Sequence, residues 1–305
     1  MIKTIDHTDL LATRDHHVDL STFDPAFTAD FKDKRDAQEK LCHDVTQLSR
    51  LQDVFFADQR YALLLIFQGM DAAGKDGAIR HVMSGVSPQG VDVYSFKQPS
   101  AQDLSHDYLW RCTKVLPERG RIAIFNRSYY EELAVVRVHT AILEQERLPA
   151  TPVGSDLWQD RYQDIVSFER HLVRNGTLVL KFFLHLSKDE QRNRLLARID
   201  APDKNWKMSA GDLHERTFWD SYQHVYEQLL TNTSTEVAPW YIIPADHKWF
   251  ARAAVADIIV ARLMALKQSY PGVSEEQRLQ LAVERKQLED GSEAVQAPPL
   301  ALVTS

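Results

Sequence analysis

The feature that most limits the fold of this chain is a continuous apolar run, Ala62 to Phe67, with a glycine-rich segment directly after it. A short apolar run without alternation is typical of a strand that is buried on both faces of a parallel sheet. The segment Gly69-Met-Asp-Ala-Ala-Gly74-Lys75-Asp76-Gly77 has the spacing G-x-x-x-x-G-K and precedes a helical pattern. In that context the glycines let backbone N–H groups surround phosphate oxygens, and the lysine reaches the transferred group. The sequence therefore predicts a phosphate-binding loop, with Gly69, Ala73, Gly74, Lys75 and Gly77 as its contacts.

Apolar runs of similar length recur along the chain and alternate with helical patterns. The further runs are Val91–Phe96, Arg121–Phe125, Thr177–Leu186 and Trp240–Ile243. The helical patterns are Asp36–Ala57, Ala78–Val86, Ser105–Leu116, Leu157–Asn175, Ser187–Asp200, Asp212–Leu230 and Arg252–Lys267. Five strands that alternate with helices predict an α/β fold with a doubly wound, parallel sheet.

The two ends of the chain differ from this central pattern. Residues 1–34 mix Asp, His and Thr without a sustained period, which predicts a partly ordered N-terminal arm. Residues 35–270 form the predicted catalytic domain. In residues 271–305, Ser274-Glu-Glu-Gln277 indicates a capping box that opens a helix, and Gly291 can end that helix. The remaining residues contain Pro298-Pro299 and no period, so we expect a disordered tail.

Composition excludes several classes of protein. The chain has 305 residues and a formal net charge of -7, so no global basic field favours nucleic acid or another polyanion, and any positive charge must be local. Cys42 and Cys112 are the only cysteines, which fits a reducing compartment. The first twenty residues lack an apolar signal region, and no apolar stretch is long enough for a membrane span. We therefore expect a cytoplasmic protein.

Two acids in the predicted loop point to a metal ion. The position after the lysine, usually Ser or Thr, is Asp76, and a second carboxylate, Asp71, lies inside the loop. A negative charge there would repel bound phosphate unless a cation lies between them. We expect Asp71, with Asp76 as a second candidate, to hold Mg²⁺, or Mn²⁺ in its place. The alternative is a solvated loop acid and an ordinary acid in the first helical turn.

The run Ile122–Phe125 is followed by Asn126-Arg127-Ser-Tyr-Tyr-Glu131-Glu132. The carboxyl end of a strand beside the loop strand faces the ligand crevice, where an arginine can contact oxygens shared between donor and acceptor. Arg127 is therefore a candidate catalytic residue, and its alternative is an ion pair with Glu131 or Glu132. A comparable strand usually ends in Asp, whereas the amide of Asn126 is a poor magnesium ligand but can position a water or phosphate. Asn126 and Arg127 are therefore predicted to contact the phosphate of the acceptor nucleotide.

A lid is predicted at residues 187–212, where Ser187-Lys-Asp-Glu190 resembles a capping box. Arg194 and Arg198 lie four residues apart and share a helix face, while Leu195, Leu196 and Ile199 are expected to pack on the other. Such a helix can close over phosphates and exclude water. The alternative is a solvated face whose arginines pair with neighbouring acids. Single basic residues after strands or at helix starts are weaker candidates for nucleotide contacts: Lys97, Arg111 and Lys207.

Several longer runs resemble one family, the type-2 polyphosphate kinases. They are GMDAAGKDGAIRHVMSGVSPQGVDVYSFKQPS (69–100), DYLWR (107–111), IFNRSYYEE (124–132), VVRVH (135–139), KNWKMSAGDL (204–213) and APWYIIPADHKWF (238–250). The resemblance covers roughly residues 35 to 270. It implies a thymidylate-kinase-like P-loop core with a helical lid, dependence on magnesium, and homo-oligomers such as dimers or tetramers.

The resemblance also implies an activity, phosphoryl transfer between inorganic polyphosphate and ADP, AMP or ATP, with guanine nucleotides as further acceptors. Asn126 followed by SYYEE resembles the branch that accepts AMP, because the branch restricted to ADP typically has Asp before the arginine. Two alternatives share the phosphate-binding loop: an ATP-dependent nucleoside monophosphate kinase, and a regulatory ATP-binding module without turnover. A loop carboxylate and lid arginines disfavour the module, because binding alone does not need them.

Overall fold

The computed structural model describes residues 2–13, 17–146, 148, 156–203, 205–207 and 210–291. The chain divides into two compact units, residues 1–269 and 270–305. The first unit contains a five-stranded parallel sheet in the order β2-β3-β1-β4-β5. The predicted α/β class and five-stranded parallel sheet are confirmed. The strands are β1 (Ala62–Gln68), β2 (Val91–Ser95), β3 (Ile122–Asn126), β4 (Thr177–His185) and β5 (Trp240–Pro244).

Helices cover both faces of the sheet. In the first unit they are α1 (Lys34–Asp58), α2 (Lys75–Val82), α3 (Trp110–Thr113), α4 (Glu131–Val138), α5 (Asp156–Arg174), α6 (Lys188–Asp200), α7 (Ala210–Thr217), α8 (Trp219–Thr233) and α9 (Lys248–Ala265). The side chains of β1 alternate between two cores. Leu63 and Leu65 pack with α1, α2 and α9, and Leu64 and Ile66 pack with α4, α5 and α8. This alternation explains why β1 is apolar throughout.

Some predicted helices have other bounds in the structure. The pattern Ser105–Leu116 forms only the short α3, because the side chain of Asp107 accepts a hydrogen bond from the backbone N–H of Leu109 and favours a turn. The pattern Asp212–Leu230 is divided between α7 and α8 at Phe218. Helix α4 was not predicted.

The N-terminal segment, predicted to be a partly ordered arm, packs against the domain where the structure describes it. Leu10, Ala12 and Leu20 are buried. Leu11 forms an antiparallel bridge with Tyr241 in β5. The apolar residues of this segment show no helical period, because part of the segment pairs alongside β5 rather than forming one helix face.

The second unit contains α10 (Glu275–Glu289). The predicted capping box is present: the Ser274 side chain accepts from the Gln277 backbone N–H, and the Gln277 side chain accepts from the Ser274 N–H. The tail predicted to be disordered, residues 292–305, lies outside the described residues. Among the described helices, none is long and apolar enough to cross a bilayer.

Candidate active site

An open cleft of about 1150 Å³ lies along the edge of the sheet where all five strands end. Because parallel strands share this carboxyl edge, it collects residues that are far apart in sequence. The cleft is lined by most of the predicted site residues: Asp71, Ala73, Gly74, Lys75, Asp76, Gly77, Lys97, Asn126, Arg127, Arg194 and Arg198. The structure thus brings the phosphate-binding loop, the end of β3 and the lid helix together, and the roles of the individual residues remain predictions.

The loop between β1 and α2 depends on glycine at both of its ends. Gly69 has φ +144°, and a Cβ there would lie 2.8 Å from the backbone oxygen of Leu184. Gly74 has φ +104° and is the N-cap of α2, with no side-chain hydrogen bond to the cap. The first N–H groups of α2 are therefore left for a ligand on the cleft side, as in other phosphate-binding helix starts.

Lys75 is buried under the loop. Its Nζ donates to the backbone oxygen of Gly69 over 2.6 Å and to that of Met70 over 3.3 Å. Burial, together with the positive charge of Arg127, lowers the pKa of Lys75 to about 8, although nearby carboxylates oppose this shift. A phosphate group in the cleft would add negative charge next to Nζ and so favour the ammonium form.

Arg127 lies directly after β3 in a left-handed backbone conformation, with φ +64°. Its Nη2 donates to Asp71 Oδ1 over 2.6 Å, and its Nη1 donates to Glu131 Oε2 over 2.9 Å. The charge of Glu131, with that of Asp71, raises the pKa of Arg127 and keeps it cationic. The alternative considered from the sequence, an ion pair with Glu131, is therefore present in the structure, and Asp71 shares the same guanidinium. A non-glycine residue held at positive φ is frequent at functional sites.

The amide of Asn126 links the end of β3 to the loop. Its Nδ2 donates to Asp76 Oδ1 over 2.7 Å and to Ser95 Oγ over 3.4 Å. Hydrogen bonds to Asp71 and Asp76 within the described residues use only Oδ1 of each carboxylate. Both residues line the cleft, and Oδ2 of each is a hard oxygen ligand that a metal ion could use.

The two carboxylates suit a metal ion that is bound jointly with a phosphate substrate better than one that is bound by protein side chains alone. The described residues contain no group of three or more His, Cys, Asp or Glu side chains that could hold a metal. Mg²⁺ typically binds through one or two carboxylates together with substrate phosphates and water, and Mn²⁺ accepts the same ligands. The donor set therefore suits a cation that is bound jointly with a phosphate substrate.

Arg194, predicted to bind phosphate from the lid, lines the cleft and holds the backbone of the loop through its guanidinium. Its five N–H donors all have acceptors: Nε contacts Glu190, Nη1 contacts the backbone oxygens of Ala72 and Ala73, and Nη2 contacts those of Ala245 and Asp246. The side chain is only 5% exposed. In this arrangement Arg194 has no N–H left for a phosphate, so its geometry differs from the role predicted from helix spacing.

The rest of the lid helix agrees only in part with the prediction. Arg198 lines the cleft and lies 3.8 Å from Asp212. Leu195 is buried, whereas Leu196 and Ile199 are 53% and 48% exposed. The expectation that all three pack on one face was wrong, because only one side of the helix meets the domain.

Of the weaker candidates for nucleotide contacts, Lys97 lines the cleft and Arg111 does not. Lys97 is exposed on the cleft wall. Arg111 is not among the residues that line the cleft: its Nη1 donates to the backbone oxygen of Lys97 over 2.7 Å, and its guanidinium lies 5.5 Å from the ring centroid of Phe96. It supports the segment that carries Lys97. The side chain of Lys207 lies outside what the structure describes.

The sequence did not single out Gln191 or Arg80 as site residues. Gln191 is buried, and its Nε2 donates to the backbone oxygen of Asp71 over 3.0 Å, which ties the lid helix to the loop. Arg80 lines the cleft from α2. An arginine six residues after Gly74 was a usable signal for Arg80, but no motif distinguishes Gln191 from a surface glutamine.

Comparisons with known proteins agree on one family. The family model described as "Polyphosphate kinase 2 (PPK2)" matches residues 31–271. The chain is 53% identical over 272 residues to a Rhodopseudomonas palustris protein named "ADP-polyphosphate phosphotransferase", covering 89% of this chain and 94% of that one. It is 45% identical to a Meiothermus ruber protein named "AMP/ADP-polyphosphate phosphotransferase", covering 84% and 92%. The crystal structure of polyphosphate kinase 2 from Arthrobacter aurescens TC1 is similar with a TM-score of 0.80 and 36% identity, covering 90% and 98%.

Proposed function

Because the chain belongs to the polyphosphate kinase 2 family, we propose that it transfers a phosphoryl group between inorganic polyphosphate and ADP or AMP. The names of the two relatives from Rhodopseudomonas palustris and Meiothermus ruber support this choice of substrates. In this proposal ATP is the product when ADP is the acceptor, and ATP is the phosphoryl donor in the reverse direction. Guanine nucleotides are further acceptors in this proposal.

The observation that carries the proposal is the arrangement of Lys75, Asp71 and Arg127 at one cleft. Lys75 lies under the loop, and Arg127 reaches back from β3 to the Asp71 carboxylate over 2.6 Å. Cationic groups from two adjacent strand ends therefore converge on one place. That is where a donor phosphoryl group and an acceptor phosphate can be aligned.

In the proposed reaction a terminal oxygen of the nucleotide phosphate attacks the terminal phosphorus of polyphosphate. One new P–O bond forms to the nucleotide, and the P–O bond to the chain breaks, leaving polyphosphate shorter by one phosphate. The attacking oxygen is already anionic, so no general base is needed. Lys75 and Arg127 hold and neutralise the phosphate oxygens while charge is redistributed. Because one phosphoanhydride replaces another, the direction follows the concentrations when ADP is the acceptor.

In this proposal Asp71 and Asp76, which line the cleft, would hold Mg²⁺ or Mn²⁺. When bound, the ion supplies charge neutralisation and orientation to the phosphate groups. Arg127 and Asn126, which engage Oδ1 of these acids, orient the carboxylates for that contact.

The enzymatic alternative is an ATP-dependent nucleoside monophosphate kinase, which shares the loop and the sheet. The family membership disfavours it. Two parallel reactions separate the alternatives: purified protein with ADP and polyphosphate but no ATP, and protein with AMP and ATP but no polyphosphate. The proposal expects ATP in the first reaction in amounts set by the polyphosphate supplied. Activity only in the second would favour the monophosphate kinase, and activity in neither would favour a binding module.

The proposal includes a homo-oligomer, either a dimer or a tetramer, on the basis of the family resemblance. Light scattering coupled to size-exclusion chromatography measures this directly. A mass equal to the 35.0 kDa of one chain would contradict it.

A further inference from the structure

The turn that carries Arg127 rests on a buried network of polar side chains. Tyr129 and Tyr130, which follow it closely in sequence, each donate a hydroxyl hydrogen bond of 2.8 Å to the same atom, Oε1 of Glu169 in α5. The other carboxylate oxygen of Glu169 pairs with Nζ of Lys181 in β4 over 2.6 Å. These residues are at most 1% exposed.

Every donor in this network has an acceptor. Beyond Glu169, Nζ of Lys181 donates to the hydroxyl of Tyr130 over 2.9 Å and to the backbone oxygen of Thr233 over 2.8 Å. The indole of Trp240 lies 5.2 Å from Nζ. The three N–H groups of the ammonium are therefore used, which leaves one arrangement of the side chains.

A buried ion pair of this kind is costly as a source of stability alone. The free-energy cost of removing two charges from water offsets much of their mutual attraction. Well-packed apolar side chains of similar volume often stabilise a core at least equally. Burial lowers the pKa of Lys181 and raises that of both tyrosines, which reflects the same cost. A buried polar network in which every group is hydrogen-bonded does, however, make the side chains that it joins more rigid.

The group that is fixed here adjoins Arg127. Ser128 Oγ accepts from the backbone N–H of Tyr130 over 3.2 Å, which closes the turn. The φ of Arg127, +64°, costs conformational energy and persists only if the surrounding structure holds it. Asp71 and Glu131 orient the far end of the guanidinium. The two tyrosines anchor the backbone after it, together with Ser128, whose Oγ also accepts from Gln68 Nε2 over 3.3 Å.

We propose that the Lys181–Glu169 pair positions Arg127 for phosphoryl transfer, acting through the hydroxyl groups of Tyr129 and Tyr130. The proposal rests on the role of Arg127 in the proposed function. Lys181 and Glu169 touch no cleft surface, so they act on the reaction only by fixing the turn. Loosening the turn misplaces a guanidinium whose alignment matters most during transfer, so kcat falls while the KM values for nucleotide and polyphosphate change little.

The test removes the two hydroxyl groups and keeps both rings, in a Tyr129→Phe/Tyr130→Phe protein. Its matched control is Tyr241→Phe, a buried tyrosine of β5 that packs in the opposite core. For ATP formation from ADP and polyphosphate, we expect about a tenfold loss of kcat in the double variant with KM within about twofold, and wild-type values in the control. Glu169→Gln, which keeps the volume but not the charge, should lower kcat in the same direction.

A second arm repeats the tyrosine changes in an Arg127→Ala protein. If the network acts through Arg127, the two effects are not additive, and the tyrosine changes should then cost under about twofold. An undiminished tenfold loss in that background would overturn the proposal, as would an unchanged kcat in the folded double variant. Either result would leave the pair with a structural role only.

A third arm does not depend on activity. In ¹⁵N-labelled protein, the Nε–H resonance of Arg127, identified by its absence in Arg127→Ala, should move or broaden in the double variant and stay unchanged in Tyr241→Phe. An unmoved resonance would contradict the positioning role even if the enzyme is active. If wild-type protein forms no ATP from polyphosphate, the proposed function fails, and this measurement still decides the positioning.

Discussion

Arg127 and Asp71 lie 56 residues apart in the chain and form a hydrogen bond of 2.6 Å between Nη2 and Oδ1. The bond joins the end of β3 to the phosphate-binding loop after β1, and it holds a candidate metal ligand and a candidate catalytic cation at a fixed spacing. Glu131 accepts from the other terminal nitrogen of the same guanidinium over 2.9 Å.

Arg127→Lys should therefore be a poor replacement, although it keeps the charge. A single ammonium cannot span Asp71 and Glu131 with the planar geometry of a guanidinium. We expect kcat for ATP formation to fall about 100-fold, with the unfolding temperature little changed because the side chain is 36% exposed. Steady-state kinetics test this, and a variant within about threefold of wild type would contradict a transition-state role for the guanidinium.

Lys75→Met should lower turnover by about 10²- to 10³-fold or more and leave the fold intact. Methionine fills the buried space, so the change removes the charge that Nζ offers to the transferred phosphoryl group together with its hydrogen bonds to Gly69 and Met70. Lys114→Met is a suitable control, because Lys114 lies outside the residues that line the cleft. A folded Lys75→Met enzyme that retains more than about a tenth of wild-type activity would contradict the loop assignment.

Asp71→Asn should raise the magnesium concentration needed for half-maximal rate and lower the maximal rate. The amide is a weaker ligand for Mg²⁺ than a carboxylate. Magnesium titrations at fixed substrate concentrations measure the effect, with Asp76→Asn as the comparison for the second candidate ligand. A lower maximal rate with an unchanged magnesium requirement would assign Asp71 to orienting Arg127 alone.

Arg194→Lys should mainly lower folding stability, whereas Arg198→Lys should mainly weaken the binding of polyphosphate. Arg194 donates to backbone oxygens of the loop and of the segment after β5, and to Glu190, so its replacement should cost about 3 kcal/mol of folding stability. Arg198 lies on the cleft wall, and its replacement should raise the KM for polyphosphate without a change in stability. Thermal unfolding and kinetics of both variants distinguish these roles, and equal stability would contradict the structural role of Arg194.

Asn126→Asp should depress the reaction of AMP more than that of ADP. In the structure the Asn126 amide donates to Asp76 over 2.7 Å, so the new carboxylate would face a second one beside the acceptor phosphate. A shorter acceptor must approach the donor more closely and would feel the added charge at shorter range. Rates for both acceptors must be compared at equal magnesium, because the new acid could also bind the ion.

The swapped protein, Asp76→Asn/Asn126→Asp, is a matched control with the net charge of the wild type. It restores one amide–carboxylate hydrogen bond and should recover part of the AMP activity. If wild-type protein ignores AMP while using ADP, the assignment to the AMP-accepting branch is wrong. Equal loss of both activities in Asn126→Asp would make Asn126 a general phosphate contact.

The sequence predicted the sheet and the cleft because their signals are local. The apolar run of β1 is followed within a few residues by the motif that contains Gly69, Gly74 and Lys75. The carboxyl ends of parallel strands lie at one edge of the sheet, which gives the position of the cleft. The buried role of Arg194 could not be predicted in this way. Its acceptors include backbone oxygens of Ala72 and Ala245, which are distant in sequence and are chosen by tertiary packing.

The network beneath Arg127 was missed for a related reason. Lys181 stands in the middle of the apolar run of β4, where a charged residue contradicts the pattern of a buried strand. Its partner Glu169 is one acid among several in a helix with an ordinary amphipathic pattern. Only the packing of α5 on β4 places these charges together, and the pairing of a buried Lys with an acid could not be assigned from spacing.

The most direct test of the central claim is phosphorus NMR of wild-type protein with ADP, Mg²⁺ and polyphosphate in the absence of ATP. The account predicts that the γ-phosphate signal of ATP grows in step with an equal molar loss of phosphoryl groups from polyphosphate, with no release of free phosphate. Lys75→Met protein under the same conditions should show neither change. Absence of ATP with wild-type protein, or ATP formed by Lys75→Met at the wild-type rate, would contradict transfer from polyphosphate in this cleft.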